Sequence, residues 1–216
     1  ATTFCAGGSV TLTASGGATY SWSNSATTAA LNATQSGSYI ATVTSAQGCS
    51  VTTPSVNVTV NPLPVANIVA NGPLTYCQGG SLNLTATGIG SYQWNNGSTA
   101  AILPITTSGS YSYTITNSAG CSATSTAAVV QINPVPTVTS VLGNNAVCMG
   151  SNTTYTNATT GGVWSSTNPN IASVNAAGQI NGLQAGSSTI NYTVTNSFGC
   201  STIASKTIVV NPVPSA

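Results

Sequence analysis

The sequence predicts an all-β protein, on three observations. The first is composition. Of 216 residues one is a lysine, and arginine, aspartate, glutamate and histidine are absent, so the formal charge is +1. Apolar residues make up 41%, enough for a core, and the rest is largely Ser, Thr, Asn and Gly with ten prolines. Thr, Val, Ile and Tyr favour pleated strands, whereas Gly, Asn and Pro favour turns. The second is a hydrophobic period of two: Val10, Leu12 and Ala14 alternate with Thr11 and Thr13, as Leu82, Leu84 and Ala86 do with Asn83 and Thr85. The third is an internal repeat. Asn-Pro-x-Pro recurs at Asn61–Pro64, Asn133–Pro136 and Asn211–Pro214, in steps of 72 and 78 residues.

The elements follow in order within each repeat. An opening cysteine (Cys5, Cys77, Cys148) precedes the first alternating strand. After a Gly-rich turn comes a strand carrying Tyr20 and Trp22, or Tyr92 and Trp94. Each tryptophan, Trp164 included, lies 16 or 17 residues after its opening cysteine. A later strand carries Tyr39, Ala41 and Val43, matched by Tyr111, Tyr113 and Ile115 and by Ile190, Tyr192 and Val194. A short turn (Gln47-Gly48, Ala119-Gly120, Phe198-Gly199) leads to the second cysteine, Cys49, Cys121 or Cys200. A last strand, through Val56, Val58 and Val60 in the first repeat, runs to the proline motif, where proline ends the ladder and stiffens the linker. About seven short strands and one tryptophan per repeat describe an immunoglobulin-like sandwich. The expectation is three tandem immunoglobulin-like β-sandwich domains, 1–62 (first strand incomplete), 63–134 and 135–216. So small a core needs help from disulfides or stacked neighbours.

The same composition excludes much. General acid–base catalysis has no carboxylate or imidazole to use, so the expectation is no enzyme and no cofactor. Carboxylate clusters for calcium and His-containing zinc sites are missing, and the cysteines lack any Cys-x-x-Cys element, so no metal is expected. Without a basic patch neither nucleic acid nor an anionic membrane surface is a partner. No apolar run approaches the roughly 18 residues of a membrane span, so no membrane insertion is expected. The six cysteines, Cys5, Cys49, Cys77, Cys121, Cys148 and Cys200, read as structural disulfides of an oxidising compartment. Trp22, Trp94 and Trp164 read as core anchors rather than sugar-stacking platforms. Outward Thr residues are what a solvated strand face prefers. Lys206 reads as a solvated or snorkelling side chain, since no acid is present to assist an isopeptide bond. Seven Asn-x-Ser/Thr sequons (Asn32, Asn57, Asn83, Asn96, Asn152, Asn157, Asn191) arise readily in so Asn- and Thr-rich a chain.

Repeats one and two carry Cys-x-Gly-Gly-Ser, Tyr-x-Trp, Ser-Gly-Ser-Tyr and Gly-Cys-Ser. In these they resemble Ig-like or PKD-like repeats of large secreted surface adhesins of Bacteroidota, including those exported by the type IX route. Repeat three reads Trp164-Ser165-Ser166-Thr167-Asn168-Pro169-Asn170-Ile171-Ala172-Ser173-Val174, then Gly178-Gln179-Ile180-Asn181-Gly182 and Ala185-Gly186. It resembles the bacterial Ig-like group 2 domain of adhesins. Where acidic relatives carry Asp before Gly-Cys, this chain has Ser45 or Asn117, so a calcium-stiffening role is not carried over.

The functional expectation is a structural repeat segment of an extracellular or cell-surface filament, stalk or giant adhesin, forming a stiff uncharged rod. The alternative is an adhesive module contacting a surface glycan or another cell, for which Phe198 is the candidate loop aromatic. Expected partners are copies of the chain or flanking repeats, head to tail. Ala1-Thr2-Thr3-Phe4-Cys5 falls short of the first strand that Val65–Tyr76 supplies to repeat two. This is expected of one period of a longer chain, or of a subunit adding strands head to tail past Pro214-Ser215-Ala216. Two cysteine pairings, and free thiols, stay open. Base rate favours Cys5–Cys49, Cys77–Cys121 and Cys148–Cys200. Standard Ig topology separates those partners by a strand of roughly 20 Å, too far for a disulfide, and favours Cys5–Cys121 and Cys77–Cys200, with Cys148 left for Cys49 of a following copy.

Overall fold

The structure, a computed structural model, describes residues 1–214; Ser215 and Ala216, which follow the last proline motif, lie outside the described residues. Among the described residues every helix-or-strand element is a strand. The contacts divide the chain into two compact units, Ala1–Leu74 with Ser81–Val130, and Thr75–Gly80 with Gln131–Ala216.

The first unit opens with β1 (Thr3–Cys5), β2 (Val10–Thr13), β3 (Thr19–Trp22), β4 (Ala30–Ala33), β5 (Gly37–Tyr39), β6 (Ala41–Thr44), β7 (Ser50–Thr52) and β8 (Val56–Asn61). β2 pairs with β4, while β3-β6-β7 and β1-β8-β5 form the facing ladders. Alternation sends Leu12, Ala14, Trp22, Leu31, Ala33, Tyr39, Ala41, Val43 and Val58 into one buried cluster. Each buried Leu or Val removes enough apolar surface to contribute about 1.5–3 kcal/mol. The pattern recurs in β9 (Asn67–Ala70), β10 (Thr75–Cys77), β11 (Leu82–Thr87), β12 (Ser91–Trp94), β13 (Ile102–Ile105), β14 (Gly109–Tyr111), β15 (Tyr113–Thr116), β16 (Ser122–Thr124) and β17 (Ala128–Asn133). Here Trp94, Tyr113 and Ile115 are almost wholly buried, with the Trp94 and Tyr113 rings 5.1 Å apart. The indole N–H groups of Trp22 and Trp94 donate to the carbonyls of Thr28 and Ala100 at 2.8 Å, so each buried ring keeps its polar atom satisfied. Tyr39 and Tyr111 donate their hydroxyls back to Gln35 O and Thr107 O, four residues upstream, a tyrosine corner of the immunoglobulin sandwich.

The second unit contains β10 and the end of β17, given above, with β18 (Ala146–Cys148), β19 (Asn152–Thr154), β20 (Val163–Ser166), β21 (Ala172–Val174), β22 (Gln179–Gly182), β23 (Gly186–Thr195) and β24 (Ser201–Asn211). Its sheets run β18-β24-β23-β20 and β19-β22-β21 around Tyr155, Ala172, Ile180, Ile190, Tyr192, Ile208 and Val210. Trp164 only borders this core: it is half-buried against Tyr192, ring centres 4.6 Å apart. The expected third core anchor is thus a flank, because Tyr155 fills the interior at 1% exposure.

One side chain decides how long the last hairpin runs. Four residues after the second cysteine stand Thr53, Ser125 and Ala204. The hydroxyls of Thr53 and Ser125 accept the Ala41 and Tyr113 backbone N–H at 3.0 and 3.1 Å, taking the place of a ladder carbonyl. There the strands break, into β5 and β6 and into β7 and β8 in the first repeat. Ala204 has no hydroxyl, so β23 and β24 pair without interruption from Gly186↔Val210 to Thr195↔Ser201.

Candidate functional site

Three short parallel pairings recur. β1 lies beside the end of β8 with Cys5 opposite Asn61, β10 beside β17 with Cys77 opposite Asn133, and β18 beside β24 with Cys148 opposite Asn211. The residue after each cysteine donates its N–H to that asparagine's carbonyl at 2.8 Å: Ala6 to Asn61, Gln78 to Asn133, Met149 to Asn211. Parallel pairing fits here because the opening strand leaves the sandwich alongside the strand that ends it. Each opening cysteine is thereby delivered to the mouth of an Asn-Pro motif.

The second cysteine is delivered by a five-residue turn. In Asn117–Cys121 the side-chain oxygen of Asn117 accepts the N–H groups of Ala119 and Cys121, both at 3.0 Å. Gly120 adopts φ +78°, open to glycine without cost, and the chain closes with Asn117 N–H on Cys121 O at 2.9 Å. The turn Asn196–Cys200 repeats this, its Asn196 oxygen accepting Phe198 and Cys200 N–H. In both turns the amide nitrogen remains free to reach outward. Asn117 donates to Pro62 O at 3.0 Å, and Asn196 to Pro134 O at 2.7 Å.

Turn and strand end meet as a disulfide. In the first unit Cys5 bonds Cys121, and in the second Cys77 bonds Cys200, each with Cα atoms 5.6 Å apart. Cys121 and Cys200 are each 1% exposed. The pairs Cys5–Cys49, Cys77–Cys121 and Cys148–Cys200 are not formed, and the reason is strand length. Cys200 directly precedes β24, whereas Cys148 pairs with Asn211 at the far end of its 11 residues, about 35 Å away at 3.2–3.4 Å per residue. A disulfide spans at most about 7 Å. Cys49 and Cys148, expected in disulfides, are exposed free thiols. Cys49 closes a turn of the same form, Ser45 N–H on Cys49 O at 2.8 Å. There Ser45 replaces the asparagine, its hydroxyl accepting Cys49 N–H at 3.3 Å.

The other candidates lie outside these joints or are absorbed by them. Phe198 is 61% exposed on the Asn196–Cys200 turn itself. The Thr and Ser hydroxyls beside each turn pair with one another across the strands: Thr44–Ser50, Thr116–Ser122 and Thr195–Ser201 at 2.7–2.8 Å. Lys206 is half-buried with Nζ 6.0 Å from the centre of the Tyr155 ring, and burial pushes the Tyr155 phenol up from its ordinary range. Among the sequons, Asn157 donates to Thr139 O and Asn191 accepts from Ser205. A shallow depression of about 490 Å³ lined by Ile89, Gly90, Ser91, Thr116, Asn117 and Ser118 carries no titratable group. Among the described residues no three metal-ligating side chains cluster, and no helix is long and apolar enough to cross a membrane. The sequence names Asn117 only as the position where relatives carry Asp; its grip on a proline carbonyl, and that of Asn196, was not foreseen, although alignment on the second cysteine puts Asn, Asn and Ser four residues before it.

Strand order, tyrosine corners and the buried tryptophans of the first unit define immunoglobulin-like sandwich architecture. Residues 128–203 match the family model of the bacterial Ig-like domain (group 2). No curated protein matches the chain. Solved structures similar to it include a 1.5-MDa bacterial ice-binding adhesin studied for host cell surface retention (13% identity, 98% of this chain and 94% of that one, TM-score 0.39). Others are a Ca2+-stabilized adhesin of an Antarctic bacterium that binds ice (14%, 98% and 71%, 0.37) and a marsupial T cell receptor (16%, 94% and 97%, 0.36). At such identities and scores these likenesses say nothing about what this chain binds.

Proposed function

We propose that this chain is a structural repeat segment of an extracellular bacterial filament, stalk or surface adhesin, in which successive repeats are coupled end to end into a stiff uncharged rod. The joint carries the reading: a disulfide, a parallel strand pair and an Asn-to-Pro-carbonyl hydrogen bond meet at one proline motif, and the set occurs twice. Proline limits bending at the same place. Such bonds persist in oxidising compartments, which agrees with a place outside the cell. With one charged side chain in 216 residues, copies meet with almost no electrostatic repulsion, and salt and divalent ions have little to act on. Catalysis has no supporting group in the site. Negative-stain imaging of native material and of the purified chain tests the reading. Thin filaments with a regular axial spacing are expected, and compact, discrete particles in both samples would overturn it.

A further inference from the structure

We propose that Cys148 of one copy and Cys49 of a second copy form an intermolecular disulfide that closes a third joint of the same kind. This bond presupposes the end-to-end reading above and adds the covalent partner. Each closed joint needs two halves: a cysteine paired with the asparagine of an Asn-Pro motif, and a cysteine closing a five-residue turn. The chain holds three of each half and closes two joints within itself. What remains is one half of each kind.

Both open halves already have the backbone of the closed ones. Cys148 stands opposite Asn211, and Met149 N–H reaches Asn211 O at the same 2.8 Å seen at Asn61 and Asn133. The Cys49 turn closes through Gly48 N–H on Ser45 O at 3.0 Å, as Gly120 on Asn117 and Gly199 on Asn196 do. Exposure differs in the sense a missing partner requires. Asn133, Cys121 and Cys200 are buried in closed joints, whereas Asn211, Cys49 and Cys148 are exposed. The partner is taken to be a second copy because the Cys49 turn has the backbone form of the turns that close the other two joints, and its thiol is exposed and free. The two halves are unlike, so the contact is heterologous and propagates rather than closing a symmetric dimer.

The chemistry balances with a disulfide oxidant such as oxidised glutathione. One thiolate attacks it, giving a mixed disulfide and one glutathione thiol. The second thiolate displaces the other glutathione, so two protein thiols are oxidised and one glutathione disulfide is reduced to two thiols. Ser45 lacks the amide arm that grips Pro62 and Pro134 in the closed joints, so at this joint the covalent bond holds without that hydrogen bond.

The test re-oxidises the purified full chain in a glutathione redox buffer and separates it on non-reducing gels, with peptic peptide mapping because Lys206 is the single tryptic site. Expected is a ladder of covalent oligomers and a linked peptide containing Cys49 and Cys148. Cys49→Ser and Cys148→Ser, at exposed positions outside the cores, should each abolish the ladder, and mixing the two variants should give dimers only. Ser45→Asn should raise the yield of linked species about fivefold, the worth of one hydrogen bond. Two thiols that stay free, Cys49–Cys49 or Cys148–Cys148 links, or an internal Cys49–Cys148 bond would overturn the proposal. Sedimentation under conditions that leave these two thiols reduced separates the failures. If the reduced chain associates but oxidation yields no Cys148–Cys49 bond, the staple alone is overturned; no association with or without oxidant overturns the end-to-end reading too.

Discussion

Pulling on the two ends of a single chain should meet a hard limit set by the disulfide pattern. With both bonds intact the shortest covalent path runs from Ala1 to Cys5, across to Cys121, back along the backbone to Cys77, across to Cys200 and on to Pro214. That path contains about 62 residue steps, which at up to about 3.6 Å each allow about 23 nm, including the two 5.6 Å crossings. Fully reduced, the 213 steps from Ala1 to Pro214 allow about 77 nm. The informative perturbation is Cys5→Ser with Cys121→Ser, which removes one staple without creating a thiol. The path then follows the backbone from Ala1 to Cys77 before crossing, about 90 steps, and the limit rises to about 33 nm. Bonds within each repeat would instead all but one be lost in that variant, leaving a limit near 60 nm by the same count. Single-molecule force spectroscopy with handles at residues 1 and 214 measures all three lengths. An unreduced wild-type trace passing well beyond about 25 nm, or a double variant extending past about 40 nm, would refute the pairing and the path derived from it.

Three further outcomes are expected. Asn117→Ala removes the acceptor for two backbone N–H groups and the donor to Pro62, and should cost about 1–3 kcal/mol in denaturant unfolding, with Ser45→Ala costing clearly less; equal costs would mean the amide arm is idle. Trp94→Ala empties a site 1% exposed and should cost about 3–5 kcal/mol, whereas Trp164→Ala, at a half-buried flank, should cost less; the reverse order would contradict the core described here. Stability should be unchanged by EDTA and flat between about pH 4 and 9, as no carboxylate or imidazole titrates. Burial raises the Tyr155 phenol above its unfolded value, so the folded state holds the proton more tightly. Its contribution is therefore full below about pH 10 and is lost as pH rises through the folded value. Thermal melts across this range check both, and a marked loss on acidification to pH 4 would be the contrary result.

The sequence by itself determined what depends on local periodicity. Alternation at Leu12–Ala14 and Leu82–Ala86, the turn glycines before each second cysteine and the proline motifs all act within a few residues, so strand class and core positions could be read directly. That the chain carries no carboxylate or imidazole side chain is likewise legible in composition alone. Only the tertiary structure decided the cysteine pairing. All six cysteines keep the same phase, so spacing alone cannot tell a partner in the same repeat from one in the next. The choice turns on which end of a strand of about 35 Å each thiol occupies, a property of the folded sandwich. Trp164 is a second case, since its place in the repeat matches Trp22 and Trp94 while Tyr155 takes the interior instead. The proline carbonyls held by Asn117 and Asn196 are a third: the two groups are 55 and 62 residues apart in the chain, and folding alone brings them within a hydrogen bond.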